Sequence, residues 1–149
     1  MLKAGGARAI PIDYNISEED FAEILKNVNG MIIPDGGLSI VNPDTGRLHS
    51  FFRATKQTLD YSRNLKDTTG ETFPVFGIGQ GLYFLAMTAV EDISILSEVF
   101  VANENRKVHW NIENPKENSR MYHGFDQEVL DIMTYENVNY QLHEVAIRS

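Results

Sequence analysis

The spacing of apolar residues near the start of the chain predicts an amphipathic helix. Apolar side chains recur every three or four positions, at Phe21, Ile24, Leu25 and Val28. This spacing predicts a helix that runs to about Asn27 and buries one face. Ser17 is its expected N-cap, because the serine hydroxyl can accept a hydrogen bond from the N–H of Asp20.

Strands and helices are predicted to alternate through the first ninety residues. Residues 7–12, 31–33 and 73–78 have the apolar character of strands, and the wholly apolar run 31–33 is typical of a parallel strand buried on both faces. A second helix is predicted from Leu48 to about Lys66 and a third from Leu82 to about Val90. The core-facing residues of the second helix are expected to be Leu48, Phe51, Phe52, Thr55, Leu59 and Leu65. This alternation predicts a three-layer α/β/α fold with a mostly parallel central sheet.

The pattern changes after Glu91. Residues 93–96, 98–101 and 108–112 alternate in the manner of short antiparallel strands, and residues 126–134 predict a short helix. Residues 139–147 predict one or two further strands. Because the sequence contains no internal repeat and no linker, we expect residues 1–149 to form a single domain.

Composition narrows the functional classes. The 149 residues include 13 Lys and Arg against 21 Asp and Glu, a net charge of −8, which argues against a nucleic-acid partner. No apolar run approaches the ~20 residues of a spanning helix, and the N-terminus lacks the apolar core of a signal peptide, so we expect no membrane insertion and, by default, an intracellular protein. The sequence contains no cysteine, which excludes disulfides and every cysteine-nucleophile mechanism.

Two glycine turns are the candidate functional segments. Pro34–Gly37 and Gly77–Gly81 should both lie beyond the carboxyl ends of neighbouring strands, where ligands collect in such sheets. The third glycine of the second turn comes too early for a dinucleotide fingerprint, so no cofactor is expected. A strand, a Gly-x-x-x-Gly turn and an apolar helix have the layout of a nucleophile elbow, in which the central residue is here Gly79. The alternative is that these glycines only permit close packing of helix on strand.

Five stretches together resemble one protein family. They are Ala7–Ile12, Asn29–Pro34, Phe73–Gly77, Ser119–Tyr122 and Asn139-Tyr140, in family order across nearly the whole chain. The sequence resembles the γ-glutamyl hydrolase family, a branch of the class I glutamine amidotransferase-like fold. The resemblance implies an incomplete flavodoxin-like sheet and a relation to thiol hydrolases that cut γ-linked glutamates from folate polyglutamates.

The same resemblance assigns family positions to residues of this chain. The nucleophilic cysteine of the family falls on Gly79. The family's Pro-Gly-Gly oxyanion turn falls on Pro34–Gly37, where Asp35 is an additional acidic residue. A histidine near the family's substrate falls on Gln141. The catalytic histidine would lie beyond Ser149, and the family's first strand would precede Met1, so we expect a chain truncated at both ends.

These assignments predict a vestigial site with no catalytic residue. Its expected members are Gly36, Gly37, Gly79, Gln80 and Gln141. The four histidines are scattered without metal-ligand spacing, so no metal is expected.

Three functions remain open. The first is an inactive γ-glutamyl hydrolase-like domain with a structural or interaction role. The second is part of, or an altered copy of, a true hydrolase. The third is a pseudoenzyme that binds glutamyl ligands. A sheet that lacks a strand exposes backbone groups and an apolar face, so we expect a protein partner, a second copy of the chain or further polypeptide of the same protein to cover it. The family is often secreted, lysosomal or vacuolar, which leaves the compartment unassigned.

Overall fold

A computed structural model describes residues 5–147 and groups them into two compact units that meet in sequence at Leu96 and Ser97. The first unit contains α1 (Glu18–Lys26), β1 (Met31–Ile33), α2 (Ser50–Thr69), β2 (Val75–Gly77), α3 (Gln80–Val90) and a 3₁₀ turn (Ile93–Ile95). The remaining elements are β3 (Leu96–Arg106), α4 (Pro115–Asn118), α5 (Gln127–Tyr135) and β4 (Asn139–Ile147). The expectations drawn at the two ends, before Met1 and after Ser149, lie outside the described residues.

The first unit is mixed α/β and contains a small parallel sheet. β1 and β2 run parallel, with Met31 opposite Val75 and Ile33 opposite Gly77, as expected for two strands joined by a crossover helix. The predicted capping of α1 is confirmed, because the Ser17 hydroxyl accepts a hydrogen bond from the N–H of Asp20 at 3.1 Å. The fold class is therefore confirmed at the level of α/β with a parallel sheet.

The core of the first unit lies where α1 and α2 pack beside β2. Phe21 and Leu25 of α1 are buried together with Ala54 of α2 and with Phe73, which precedes β2. α2 and α3 also bury three threonines, Thr55, Thr58 and Thr88. Each threonine hydroxyl donates to the backbone carbonyl four residues earlier in its helix, so these polar groups enter the core with a partner.

Three sequence predictions in the first unit are wrong, and one of them is the strand at residues 93–96, where Ile93–Ile95 form the 3₁₀ turn. Residues 7–12 are irregular rather than a strand: Pro11 has no N–H to donate to a ladder, and β1 pairs only with β2 among residues 5–147. α2 begins at Ser50, and Leu48 instead forms an isolated antiparallel bridge with Val41 and is 50% exposed. Leu48 lies three residues before Phe51 and four before Phe52, so it satisfies the helical spacing without belonging to the helix.

In the second unit, β3 and β4 form a two-stranded sheet. The Ser97 hydroxyl donates to the Ala146 carbonyl, and the Tyr140 hydroxyl donates to the Asn103 side chain at 2.7 Å, so the two strands run in opposite directions. β3 is one continuous strand that begins at Leu96, where shorter strands were predicted.

Residues 108–112 are irregular, in contrast to the strand predicted there. Trp110 packs edge-to-face on Tyr122 at 4.9 Å, and its indole N–H donates to the Thr134 hydroxyl at 2.8 Å. The contacts of the Trp110 side chain therefore hold this segment in place, and no strand hydrogen bonds are needed to do so. The helix predicted near Asp126 is confirmed as α5, and within residues 5–147 each helix is too short or too polar to cross a bilayer.

Candidate functional site

The second glycine turn connects β2 to α3 as a sharp strand–turn–helix. β2 ends at Gly77, and Gly79 is the N-cap of α3, with φ 53° and ψ −120°. A positive φ of this kind strains any residue with a Cβ, which explains why glycine is favoured here. The layout of a nucleophile elbow, predicted from the glycine spacing, is therefore present in the structure. We refer to residues 77–81 as the elbow.

Two other glycines of the elbow serve close packing. A Cβ on Gly77 would lie 2.6 Å from the backbone nitrogen of Leu82, and a Cβ on Gly81 would lie 2.8 Å from the carbonyl carbon of Ile33. Both distances are shorter than real Cβ contacts. The packing role considered for these glycines is thus confirmed at Gly77 and Gly81, whereas the backbone conformation at Gly79 is the feature typical of an elbow.

The carboxylate of Asp35 lies directly against the elbow. Its Oδ1 accepts hydrogen bonds from the backbone N–H of Gln80 at 2.8 Å and from that of Gly36 at 2.9 Å. These bonds, chiefly the one from Gln80, lower the pKa of the Asp35 carboxyl because they stabilise its charged form. Burial, and then the charge of Asp35, raises the pKa of Tyr83 on α3.

Asp35 also occupies the space that a side chain at position 79 would need. A Cβ built on Gly79 would overlap Oδ1 and Cγ of Asp35 and would lie 2.7 Å from Oδ2. The Asp35 carboxylate can therefore lie against the elbow because Gly79 has no side chain.

The side chain of Gln80 ties the loop after β1 to the start of α3. Its Oε1 accepts from the backbone N–H of Leu38 at 3.0 Å, and its Nε2 donates to the carbonyl oxygen of the same residue. Through these two bonds and the Asp35 bond to the Gln80 N–H, residues 35–38 are held against the elbow.

A cavity of about 430 Å³ adjoins this site within the first unit. Residues 10–12, Tyr14, β1 and α2 line it with mostly apolar side chains, and Asp35, Gly36 and Gln80 lie at its polar side. Small-molecule sites commonly combine an apolar wall with a few polar groups. The arrangement can therefore hold a ligand with an apolar body.

The structure brings together three of the five predicted site residues. Gly36, Gly79 and Gln80 meet around Asp35, and Gly37 lies in the same loop, where a Cβ would meet no atom within 4 Å. Gln141 lies on β4 in the second unit and in a separate sheet. That these residues form a substrate pocket stays a prediction.

Asp35 contacts the elbow but was not among the predicted site residues. The signal for it is an acid within a glycine turn that directly follows an apolar strand.

Comparison with known proteins gives a consistent set of relatives, although no protein-family profile matches the chain. The γ-glutamyl hydrolase of Mus musculus is 25% identical over 147 residues, which cover 98% of this chain and 43% of the mouse protein. γ-Glutamyl hydrolase 1 of Arabidopsis thaliana is 28% identical over 97% of this chain and 39% of the plant protein. The γ-glutamyl hydrolase of Homo sapiens is 22% identical over 98% of this chain and 43% of the human protein.

The chain spans about two-fifths of the length of these curated relatives. The similarity extends over both units, since 97–98% of the chain is covered in each of the three comparisons. On this basis the chain is similar to γ-glutamyl hydrolases over nearly all of its length.

Proposed function

We propose that the chain is a catalytically inactive γ-glutamyl hydrolase-like domain with a structural or interaction role. The observation that carries the proposal is Gly79, which offers no side chain at the centre of the elbow. Covalent hydrolysis by a thiol enzyme needs a thiolate at that position, and the sequence contains no cysteine.

The hydrogen bonds of Asp35 support the same proposal. In an elbow enzyme the N–H of the residue after the nucleophile stabilises the oxyanion, together with an N–H from an earlier loop. In this chain the corresponding groups, the N–H of Gln80 and the N–H of Gly36, both donate to the chain's own Asp35 carboxylate. A substrate carbonyl would have to displace this anion before it could be polarised.

A hydrolysis assay tests the absence of activity. The purified chain, its mass confirmed, is incubated with a folate polyglutamate, and released glutamate is measured. We expect no release above that of buffer. The matched controls are D35A and Q80A, because a contaminating hydrolase would be indifferent to both. Glutamate release that changes in either variant would contradict the proposal.

The interaction role is supported by the small sheet of the first unit. β1 and β2 pair only with each other within residues 5–147, and Phe76 of β2 is 45% exposed. Parallel strands are normally covered on both faces, and a two-stranded sheet is marginal by itself. In this proposal the two strands belong to a larger sheet of a three-layer α/β/α, flavodoxin-like fold, completed by a protein partner or a second copy.

Sedimentation velocity tests this association. We expect the sedimentation coefficient to rise with protein concentration, and the variant F76D to stay monomeric because a charge on β2 would disfavour burial of that face. D60N, on α2, is the control for a change of charge elsewhere on the first unit. A chain that stays monomeric at every concentration and captures no partner would contradict the interaction role.

A second candidate is a pseudoenzyme that binds glutamyl ligands, for which the cavity beside Asp35 and Gln80 would be the pocket. Calorimetry with a γ-linked diglutamate separates it from the first: binding that weakens in Q80A would favour the pseudoenzyme.

The remaining alternative is that the chain is part of a longer hydrolase. The genomic sequence around this reading frame tests it, since a cysteine codon at position 79 together with a downstream histidine would favour an active parent.

A further inference from the structure

We propose that the Asp35 carboxylate fills the space that a side chain at position 79 would need. The aspartate at position 35 therefore requires a glycine at position 79, and a side chain at position 79 requires the loss or displacement of the aspartate. A side chain at position 79, such as the thiol of a cysteine, can be accommodated at the elbow only if the Asp35 carboxylate moves away. This inference concerns the geometry of the elbow and goes beyond the proposed lack of activity.

The steric part of the argument begins with the space around Gly79. A Cβ there would overlap the carboxyl group of Asp35. An aspartate side chain could rotate away from such a contact, but this rotation would break its bonds to the N–H groups of Gln80 and Gly36.

The loop that carries Asp35 is also restrained. Gln80 holds both backbone groups of Leu38, three residues after Asp35, through contacts that span 42 positions of sequence. Retreat of the whole loop would therefore break these bonds as well. The overlap at position 79 can therefore be relieved only by breaking the hydrogen bonds of the Asp35 carboxylate or those between Gln80 and Leu38.

The electrostatic part concerns what Asp35 would do to a thiol at position 79. A carboxylate within a few ångströms disfavours a second negative charge and so raises the pKa of the thiol. In the absence of that carboxylate, the N–H of Gln80 at the start of α3 would favour the thiolate. Tyr83, whose pKa is raised by burial and by Asp35, stays neutral near pH 7 and adds no competing charge.

Thiol reactivity is a direct test because the chain contains no cysteine, so an introduced one is the only thiol. The variants G79C and D35A/G79C are alkylated with iodoacetamide across a range of pH, and the rate and the thiol pKa are measured. We expect the double variant to react about tenfold faster near pH 7.5, with a lower thiol pKa. Equal rates and equal pKa values in the two variants would overturn the proposal.

Position 70 supplies the matched control. Gly70 also has a positive φ, 75°, but a Cβ there would meet no atom within 4 Å. The rate for G70C should be the same with and without D35A. If D35A accelerated alkylation equally at both positions, the effect would be general, and the proposal would fail.

A second measurement covers the possibility that G79C does not fold. The folding equilibrium constant is measured for the parent chain, G79A, D35A and D35A/G79A. We expect G79A to lower this constant about tenfold more in the presence of Asp35 than in its absence, while G70A shows no such dependence. Since the strain of a positive φ is common to both backgrounds, it cancels in this comparison. Equal effects of G79A in the two backgrounds would refute the mutual dependence.

Discussion

Replacement of Gln80 by alanine removes the side chain that ties the loop after β1 to α3. In the parent chain the amide of Gln80 accepts from the N–H of Leu38 at 3.0 Å and donates to the carbonyl of Leu38, and both bonds are partly buried. Alanine keeps the backbone N–H that Asp35 accepts, so the substitution isolates the amide.

The magnitude follows from these two bonds. Each neutral hydrogen bond contributes about 0.5–1.5 kcal/mol, so the pair contributes about 1–3 kcal/mol. Alanine is the better helix former by a few tenths of a kcal/mol, which offsets a small part of the loss. We expect Q80A to lower the free energy of unfolding by about 1–2.5 kcal/mol.

Urea unfolding measures this loss, and hydrogen exchange at the Leu38 amide locates it. The exchange rate of that amide should rise in Q80A, because its acceptor has gone. The matched control is Q57A, since Gln57 makes one exposed bond, to the carbonyl of Glu18 at 2.7 Å. The reasoning is refuted if Q80A costs no more than Q57A and exchange at Leu38 is unchanged.

Three further predictions concern the core, a helix cap and pH. F84A should lower the free energy of unfolding by about 3–5 kcal/mol, because Phe84 has 0% of its surface exposed and truncation leaves a cavity. S17A should cost about 1 kcal/mol, because it removes the hydroxyl that accepts from the Asp20 N–H. The folded-state pKa of Asp35 lies below its ordinary value of 3.8, so its stabilising contribution is full above that pH and is lost as the pH falls through the folded pKa. The stability difference between the parent chain and D35A should therefore shrink below about pH 4.

Each of these predictions has its own control in urea unfolding. F76A, at an exposed position on β2, should cost much less than F84A, and similar costs would show that burial is not the cause. S17T keeps a hydroxyl and should retain most of the stability that S17A loses. A stability difference between the parent chain and D35A that grows on acidification would contradict the sign assigned to Asp35.

Local sequence determined the elements whose formation depends on neighbours along the chain. The Ser17 cap, the buried face of α1 and the strand character of residues 31–33 and 75–77 follow from hydroxyl placement and apolar spacing, which act within a few residues. The layout of the elbow follows from its three glycines in the same way. The similarity to γ-glutamyl hydrolases was also visible in short stretches of sequence.

Tertiary structure decided everything that depends on which segments meet. Residues 7–12 and 108–112 have strand-like patterns, but a strand also needs a hydrogen-bonding neighbour, which alternation does not specify. The bond from the Gln80 N–H to Asp35 spans 45 positions of sequence. Hydrogen bonds and steric overlap act only over a few ångströms. The Asp35 carboxylate can therefore reach the elbow only because folding brings the ends of β1 and β2 side by side.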